Sequence, residues 1–177
     1  MKCLTLLACL LLSVAAPAAD EKLRLPVGRE VYTLKPFREV APRRHYFGVY
    51  AFPFDLTGGT RLHLFPNGRF IISTWLDIGP DELQAAGSYQ VRDDRLTLRF
   101  SRVSPGHEGL KKKFADLYLL WGWIEKKDYV TGFEVFVFPS EAWTTLKTNP
   151  AEVHYLRRQT EYNDWERILR DYEAQKK

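Results

Sequence analysis

"GSYQVRDDRLTLRF", Gly87 to Phe100, is the stretch that decides how this chain folds. With Asp93-Asp94 as a two-residue loop, Arg92 opposes Arg95, Val91 faces Leu96, Tyr89 faces Leu98, and Gly87 lies near Phe100. Every large apolar side chain then falls on one side. Ser88, Gln90, Arg92, Arg95, Thr97 and Arg99 fall on the other. A slip by one residue would mix the two sets, so the register is strongly set. Asp serves this turn less easily than Gly, because it tolerates positive φ less well.

The same logic reads the preceding stretch, "GTRLHLFPNGRFIISTWL". Pro66-Asn67-Gly68 fits a three-residue loop with Gly at the left-handed bulge position. Phe65 then opposes Arg69, Leu64 faces Phe70 and Leu62 faces Ile72. One face carries Leu62, Leu64, Phe70, Ile72 and Leu76, a core face. The other carries Arg61, His63, Ile71, Ser73 and Trp75, which is mixed. "YFGVYAFPF", Tyr46 to Phe54, reads as an earlier strand, with Pro53 marking its end or a sheet edge.

"FADLYLLWGWI" and "VTGFEVFVF" read as a third hairpin turning among Glu125 to Tyr129, with Trp121 opposite Phe133. Leu117, Leu119, Trp121 and Trp123 take one face of the first strand, Tyr118 and Leu120 the other. Phe133, Val135 and Val137 alternate with Phe136 and Phe138. Strands apolar on both faces need a cover outside the sheet. A C-terminal helix over Asp164 to Gln175 offers one. Asn163 stands as its N-cap and Glu166 completes a capping box. Trp165, Ile168, Leu169 and Tyr172 form its apolar stripe, expected to lie on the Phe136/Phe138 side. Glu152 to Arg157 is read as an eighth strand, and Ser140 to Leu146 as a short helix or ordered connection. The expected fold is mainly β: an antiparallel meander of about eight strands closing into a barrel, with the amphipathic helix packed on it.

The first 19 residues read differently from the rest. Met1-Lys2, an apolar run from Leu4 to Ala16, and Ala16-Pro17-Ala18 follow the order of a secretory signal peptide. The run is shorter than the roughly 20 residues of a spanning helix. Export, to the periplasm or outside the cell, is the expectation, with no transmembrane segment in the mature chain. Residues 20–44 then read as an extended arm, with Pro26, Pro36 and Pro42 and a short strand at Glu30 to Leu34. Residues 45–177 form a single domain. Cys3 and Cys9 leave with the leader, so no disulfide is available and the core alone must hold the fold. Aromatic residues, 14% of the chain, supply that core. The chain has 26 basic and 22 acidic side chains; losing Lys2 leaves 25 against 22, a mild +3. That charge permits attraction to anionic envelope material and argues, with export, against nucleic acid.

Two short motifs, with a late arginine that could accompany them, resemble a lipocalin-like (calycin) domain of the bacterial envelope type. Gly48-Val49-Tyr50 is similar to the family's Gly-x-Trp, with Tyr in place of Trp. Gly87-Ser88-Tyr89 followed by Asp94-Arg95-Leu96-Thr97-Leu98 is similar to its "GxY…DxLxL" hairpin. Arg157 or Arg158 stands where the family has a late Arg packed over the Gly-x-Trp ring. The resemblance implies a barrel whose apolar interior takes a lipid or another small hydrophobic molecule, without catalysis.

Candidate residues for lining such a cavity are Tyr50, Trp75, Trp121, Trp123 and Phe133, with Arg61 and His63 as polar contacts beside Trp75; a filled core uses the same aromatic residues. His45, His63, His107 and His154 have no partner at metal-ligand spacing, so neither a metal nor a cofactor is expected. There is no Gly-x-Ser-x-Gly elbow, and the carboxylates at Asp77/Asp81/Glu82 and Asp93/Asp94 are explained by turns. "SPGHEGLKKK" reads as a solvated loop or an anion-catching rim. Arg92, Arg95 and Arg99 share one hairpin face, suited to an anionic envelope component or simply to solvent. The leading expectation is an exported binding module for a small apolar or amphipathic ligand. The alternative is an envelope interaction or inhibitor protein with a filled core acting through its surface loops. A hydrolase stands third.

Overall fold

The computed structural model describes the backbone of residues 23–40, 45–51, 58–76, 80–126, 129–160 and 164–175, and their side chains except at 40, 125–126, 129–133 and 160. The expected leader, Pro42, Pro53 and Asn163 lie outside these residues.

The described chain opens with a hairpin, β1 (Leu23–Val27) and β2 (Glu30–Pro36). Eight strands follow in chain order: β3 (Gly48–Ala51), β4 (Gly58–Leu64), β5 (Arg69–Leu76), β6 (Glu82–Arg92), β7 (Arg95–Val103), β8 (Asp116–Lys126), β9 (Tyr129–Pro139) and β10 (Leu156–Thr160). Each pairs antiparallel with the next, and β10 returns to β3, so the eight close a ring. Closure leaves no ring strand with a fully open edge. The meander expected from the sequence is therefore present, with β1 and β2 added to it. The eighth strand is displaced: Pro150–Glu152 is a 3₁₀ turn, and β10 starts only at Leu156. Pro150 has no N–H for a ladder but suits the first position of a helical turn.

Turn chemistry sets the registers. Asp93 and Asp94 take φ of 49° and 62°, the pair of left-handed residues a tight hairpin loop requires. Arg92 opposes Arg95, and Tyr89 opposes Leu98, as read from the sequence. At the other turn Gly68 sits at φ 77°, the Phe65 N–H donates to the Arg69 carbonyl, the Gly68 N–H donates to the Phe65 carbonyl, and Leu62 opposes Ile72. The Tyr89 hydroxyl donates to the Phe65 carbonyl at 2.6 Å, tying the two hairpins together.

The third hairpin differs. Its ladder runs to the Lys126–Tyr129 pair, and Trp121 opposes Val135, not Phe133. A bulge between Gly122 and Ile124 accounts for one residue of the difference. The offset from the expected pairing is two residues, which preserves the faces. Leu117, Leu119, Trp121, Val135 and Val137 enter the ring interior, whereas Leu120, Phe136 and Phe138 face outward. Gly122 matters to this packing: a Cβ there would lie 2.4 Å from the Phe136 ring and 3.0 Å from Leu34.

The outward rings are covered, but not by the expected element. Leu25, Val27, Tyr32 and Leu34 of the first hairpin lie over Phe136 and Phe138, joined by Val153, Tyr155 and Leu146 of a short helix, Ala142–Thr148. The stretch 23–36, read as an arm, thus forms part of the sheet. It is hydrogen-bonded to β8 over Leu120–Trp123, while β7 pairs with the same edge over Asp116–Tyr118. The Leu119 N–H, between these two runs, donates to the Asp94 carbonyl. Remote from β8 in sequence, the hairpin reaches this face because β8 extends beyond the part paired with β7.

The C-terminal helix (Trp165–Ala174) is present on the ring's outside. Asp164 takes its N-cap position with no side-chain cap bond, and the expected cap, Asn163, lies outside the described residues. Its buried residues Leu169 and Tyr172 pack on Phe65 and Ile71, with Leu83 and Ala86 alongside. This corrects the expected seat on Phe136/Phe138. Trp165 and Ile168 join the same cluster, so the stripe is as read and only its docking face differs.

Candidate functional site

The interior of the ring is lined by large apolar side chains. Tyr50, 0% exposed, and Trp121, 2% exposed, lie at its heart with Leu62, Leu64, Phe70, Ile72, Leu96 and Leu119. The Tyr50 hydroxyl donates to the Tyr46 carbonyl, and Phe37 packs against Trp121 with ring centroids 5.4 Å apart. Trp123 packs at the margin of this cluster. Phe114, just after the short helix Gly109–Lys113, is also buried in it, so the "SPGHEGLKKK" loop contributes a plug as well as an exposed basic tip. A water-sized void beside these side chains would leave part of their surface accessible. Their near-zero exposure means that no water-sized void lies against these side chains.

Arg61, His63 and Trp75 lie elsewhere. They project from the outer face of the β4–β5 hairpin, on the side of the C-terminal helix and Asp81. Side-chain alternation along β4 and β5 imposes this split: Leu62 and Ile72 point in, whereas His63 and Ser73 point out. The sequence therefore grouped seven candidates that the fold divides. Tyr50, Trp121 and Trp123 are inside; Arg61, His63 and Trp75 are outside. Phe133 is on β9, and its side chain is outside the described set.

The outer group is built into a polar network. His63 Nε2 lies 2.9 Å from Ser73 Oγ. Tyr172, reaching down from the helix, lies 3.2 Å from Ser73 Oγ, 3.4 Å from His63 Nε2, and donates to Asp81 Oδ2 at 3.0 Å. Arg61 grips both oxygens of Asp81 at 2.8 and 3.1 Å while its guanidinium stacks 4.8 Å from the Trp75 ring. Burial lowers the His63 pKa to about 4, against the opposing pull of Asp81, so its imidazole is neutral at pH 7. Burial first, then Asp81, pushes the Tyr172 hydroxyl up, and it stays protonated. One proton assignment satisfies these groups: Ser73 donates to Nε2, and Tyr172 donates to Asp81.

A serine hydroxyl bonded to a neutral imidazole is also the beginning of a nucleophile–base pair. Two observations oppose that use here. Ser73 is 0% and His63 4% exposed, so no acyl group reaches Oγ while the helix is seated. Asp81 Oδ2 lies 3.5 Å from that oxygen, where its charge disfavours a developing alkoxide. The arrangement acts as a polar clamp on the helix. Sequence reasoning saw Arg61, His63 and Ser73 on a mixed face and Tyr172 on an apolar stripe. A mixed face opposite a stripe that contains a hydroxyl was the available signal for their meeting.

Beside the clamp runs a cleft of about 330 Å³ between the helix and the sheet. Further along the outer surface, Ser88, Gln90, Arg92, Arg95, Thr97 and Arg99 are all exposed, as the alternation of the hairpin requires. Arg95 pairs with Asp116 and lies over the Tyr118 ring. Arg92 and Arg99 have no ion-pair partner among the described residues. Among these residues no group of three His, Cys, Asp or Glu side chains converges as a metal site would, and no helix is long and apolar enough to cross a membrane.

Set beside models of known protein families, curated proteins and solved structures, the chain matches none of them.

Proposed function

We propose that this chain is an exported envelope-interaction module: a lipocalin-like barrel with a solid core, which binds through its outer surface. The observation that carries the reading is the near-complete burial of Tyr50 and Trp121 inside the ring. A ligand seated inside the ring would have to displace Tyr50 or Trp121, which are among its most completely buried side chains. The exposed face of β6 and β7 supplies the alternative. Arg92 and Arg99 stand there among Ser88, Gln90 and Thr97. No large apolar side chain accompanies them, so the face is suited to an acidic polysaccharide and not to insertion into lipid. The lipocalin likeness adds support through topology, since eight strands in chain order close one ring and a helix packs outside it. Arg158 lies opposite Tyr50 in the β3–β10 pairing and donates to the His45 carbonyl, near the place of the family's late Arg.

The test is retention on immobilised polygalacturonate at low and high salt. The protein is expected to bind at low salt and elute as salt screens the charges. The double variant Arg92→Glu/Arg99→Glu should pass through, and neutral dextran should retain neither form. Capture by phosphatidylglycerol vesicles without any affinity for polygalacturonate would move the partner to a membrane surface. A lipid found by native mass spectrometry in stoichiometric amount would restore the interior pocket.

A further inference from the structure

We infer a second, separate binding site: the cleft under the C-terminal helix takes a small amphipathic monoanion, its charge held by Arg102 and its apolar body laid on Leu83 and Ala86.

Two irregularities of the sheet create this site. Between Ile72 and Ser73 of β5 the pairing skips a residue of β6, because Ile72 opposes Ala85 while Ser73 opposes Leu83. Between Ala86 and Gly87 it skips a residue of β7, because Gly87 opposes Phe100 while Ala86 opposes Arg102. Bulges re-aim side chains. The second turns Arg102 to the face occupied by Ala86 and leaves Ser101 beside it, its hydroxyl bonded to the Ala86 carbonyl. Gly87 permits this approach: a Cβ there would meet the Arg99 carbonyl oxygen at 2.0 Å and the Phe70 ring at 2.7 Å. Two bulges, one in β6 and one in β7, thus flank the cleft floor.

The charges in the cleft do not cancel. Arg69 is bridged to Glu173 on the helix, which closes one end and neutralises both groups. Arg102 has no ion-pair partner among the described residues, so the site has one surplus positive charge. Tyr172 offers its ring as a wall, since its hydroxyl is turned into the clamp with Asp81. An apolar floor, an aromatic wall and one uncompensated guanidinium define the ligand class: a single carboxylate or comparable anionic head on a short apolar body. The volume, about 330 Å³, falls at the small end of ligand cavities, which run from about 300 to 1,000 Å³.

Octanoate is the probe, titrated into the purified protein and followed by amide NMR shifts. Saturable shifts are expected at residues 83, 86, 101–102 and 172–173, with Trp121 and its interior neighbours unmoved. Octanol should bind at least about tenfold more weakly, because it offers no charge-assisted hydrogen bond. Arg102→Ala should weaken octanoate by about the same factor, and Arg102→Lys should restore part of the affinity. Both changes are at a partly exposed position and leave the core intact. Arg92→Glu/Arg99→Glu should leave octanoate binding unchanged, which separates this site from the polyanion face. Equal affinity for octanol and octanoate, indifference to Arg102→Ala, shifts centred on Trp121, or no saturation would each overturn the assignment.

Discussion

Two elements cover the outside of the ring, and they are held by different physics. Over Phe136 and Phe138 lies the β1–β2 hairpin, joined to β8 by a backbone ladder and packed ring on ring: Tyr32 meets Phe136 edge-on at 5.2 Å, and Tyr155 meets it at 5.5 Å. Over Ile71 and Phe65 lies the C-terminal helix, with two fully committed apolar side chains, Leu169 and Tyr172. The rest of its attachment is directional: the Tyr172 clamp, the Arg69–Glu173 bridge, and Gln175, which bonds the Asp81 carbonyl and the Leu83 N–H. Apolar burial has no angular requirement, whereas hydrogen bonds fail together once their geometry is lost. The hairpin is thus an extension of the core, and the helix is a separately releasable piece.

The largest expected effect comes from attacking the apolar cover. Phe136→Ala removes a ring wedged between Tyr32, Phe138 and Tyr155, and should cost roughly 3–5 kcal/mol. Urea unfolding followed by tryptophan fluorescence and by circular dichroism should shift together. If fluorescence and circular dichroism instead separated into two transitions, the hairpin would be no more integral than the helix.

Acid attacks the other cover. The unfolded chain protonates His63 near its ordinary pKa of 6.5, whereas burial holds the folded imidazole neutral down to about 4. Between these values the unfolded state binds the extra proton, so stability falls as pH falls. The contribution is fully present above 6.5 and is lost progressively toward 4, amounting to roughly 3 kcal/mol. Arg61, which also lowers the pKa, and Asp81, which raises it, both face the ring. Amide exchange should show residues 165–174 opening first as the pH drops. His63→Gln should flatten the dependence in that window; an unchanged slope would remove His63 from the account.

Tyr172→Phe probes the same clamp at neutral pH. The ring and its packing remain, and one buried hydroxyl is deleted from Ser73 and Asp81. A cost of about 1–2 kcal/mol is expected, because Arg61 still satisfies Asp81 and His63 still pairs with Ser73. Limited proteolysis should cut at the helix while the ring stays intact. A uniform loss across all amides would mean that helix and ring unfold as one.

The contrast between the covers explains which features were legible from the sequence. Turns are local: Pro66-Asn67-Gly68 and Asp93-Asp94 each fix φ within a few residues, and two registers followed from them. Strand faces were legible for the same reason, except at Leu76, read onto the core face but 55% exposed beyond the irregularity at Ile72/Ser73, and a two-residue offset in the third hairpin left the faces intact. Docking is not local. Both the helix stripe and the Leu25/Tyr32/Leu34 side of the first hairpin are apolar, and the sheet offers both of them an apolar outer patch. Nothing in the residues near 165 distinguishes Ile71 from Phe136 as a seat. The bulges at Gly122, in β6 and in β7 were hidden too, since each depends on its partner strand. The polar clamp joins positions 63 and 172, so it became visible only when the helix had been placed.

The smallest effect tests whether charge or geometry holds the helix. Glu173→Gln neutralises one end of the Arg69 bridge but keeps an oxygen to accept a hydrogen bond. The two side chains are 33% and 39% exposed, so water already screens the pair. A loss of under about 1 kcal/mol is expected, confined to helix amides in hydrogen exchange and fading further in high salt. The same change frees Arg69 inside the cleft, adding a second uncompensated guanidinium beside Arg102. Octanoate affinity should therefore rise as helix protection falls slightly. A fall in affinity would mean that the bridge shapes the cleft more than it neutralises it, and the helix would then be held there by geometry rather than by charge.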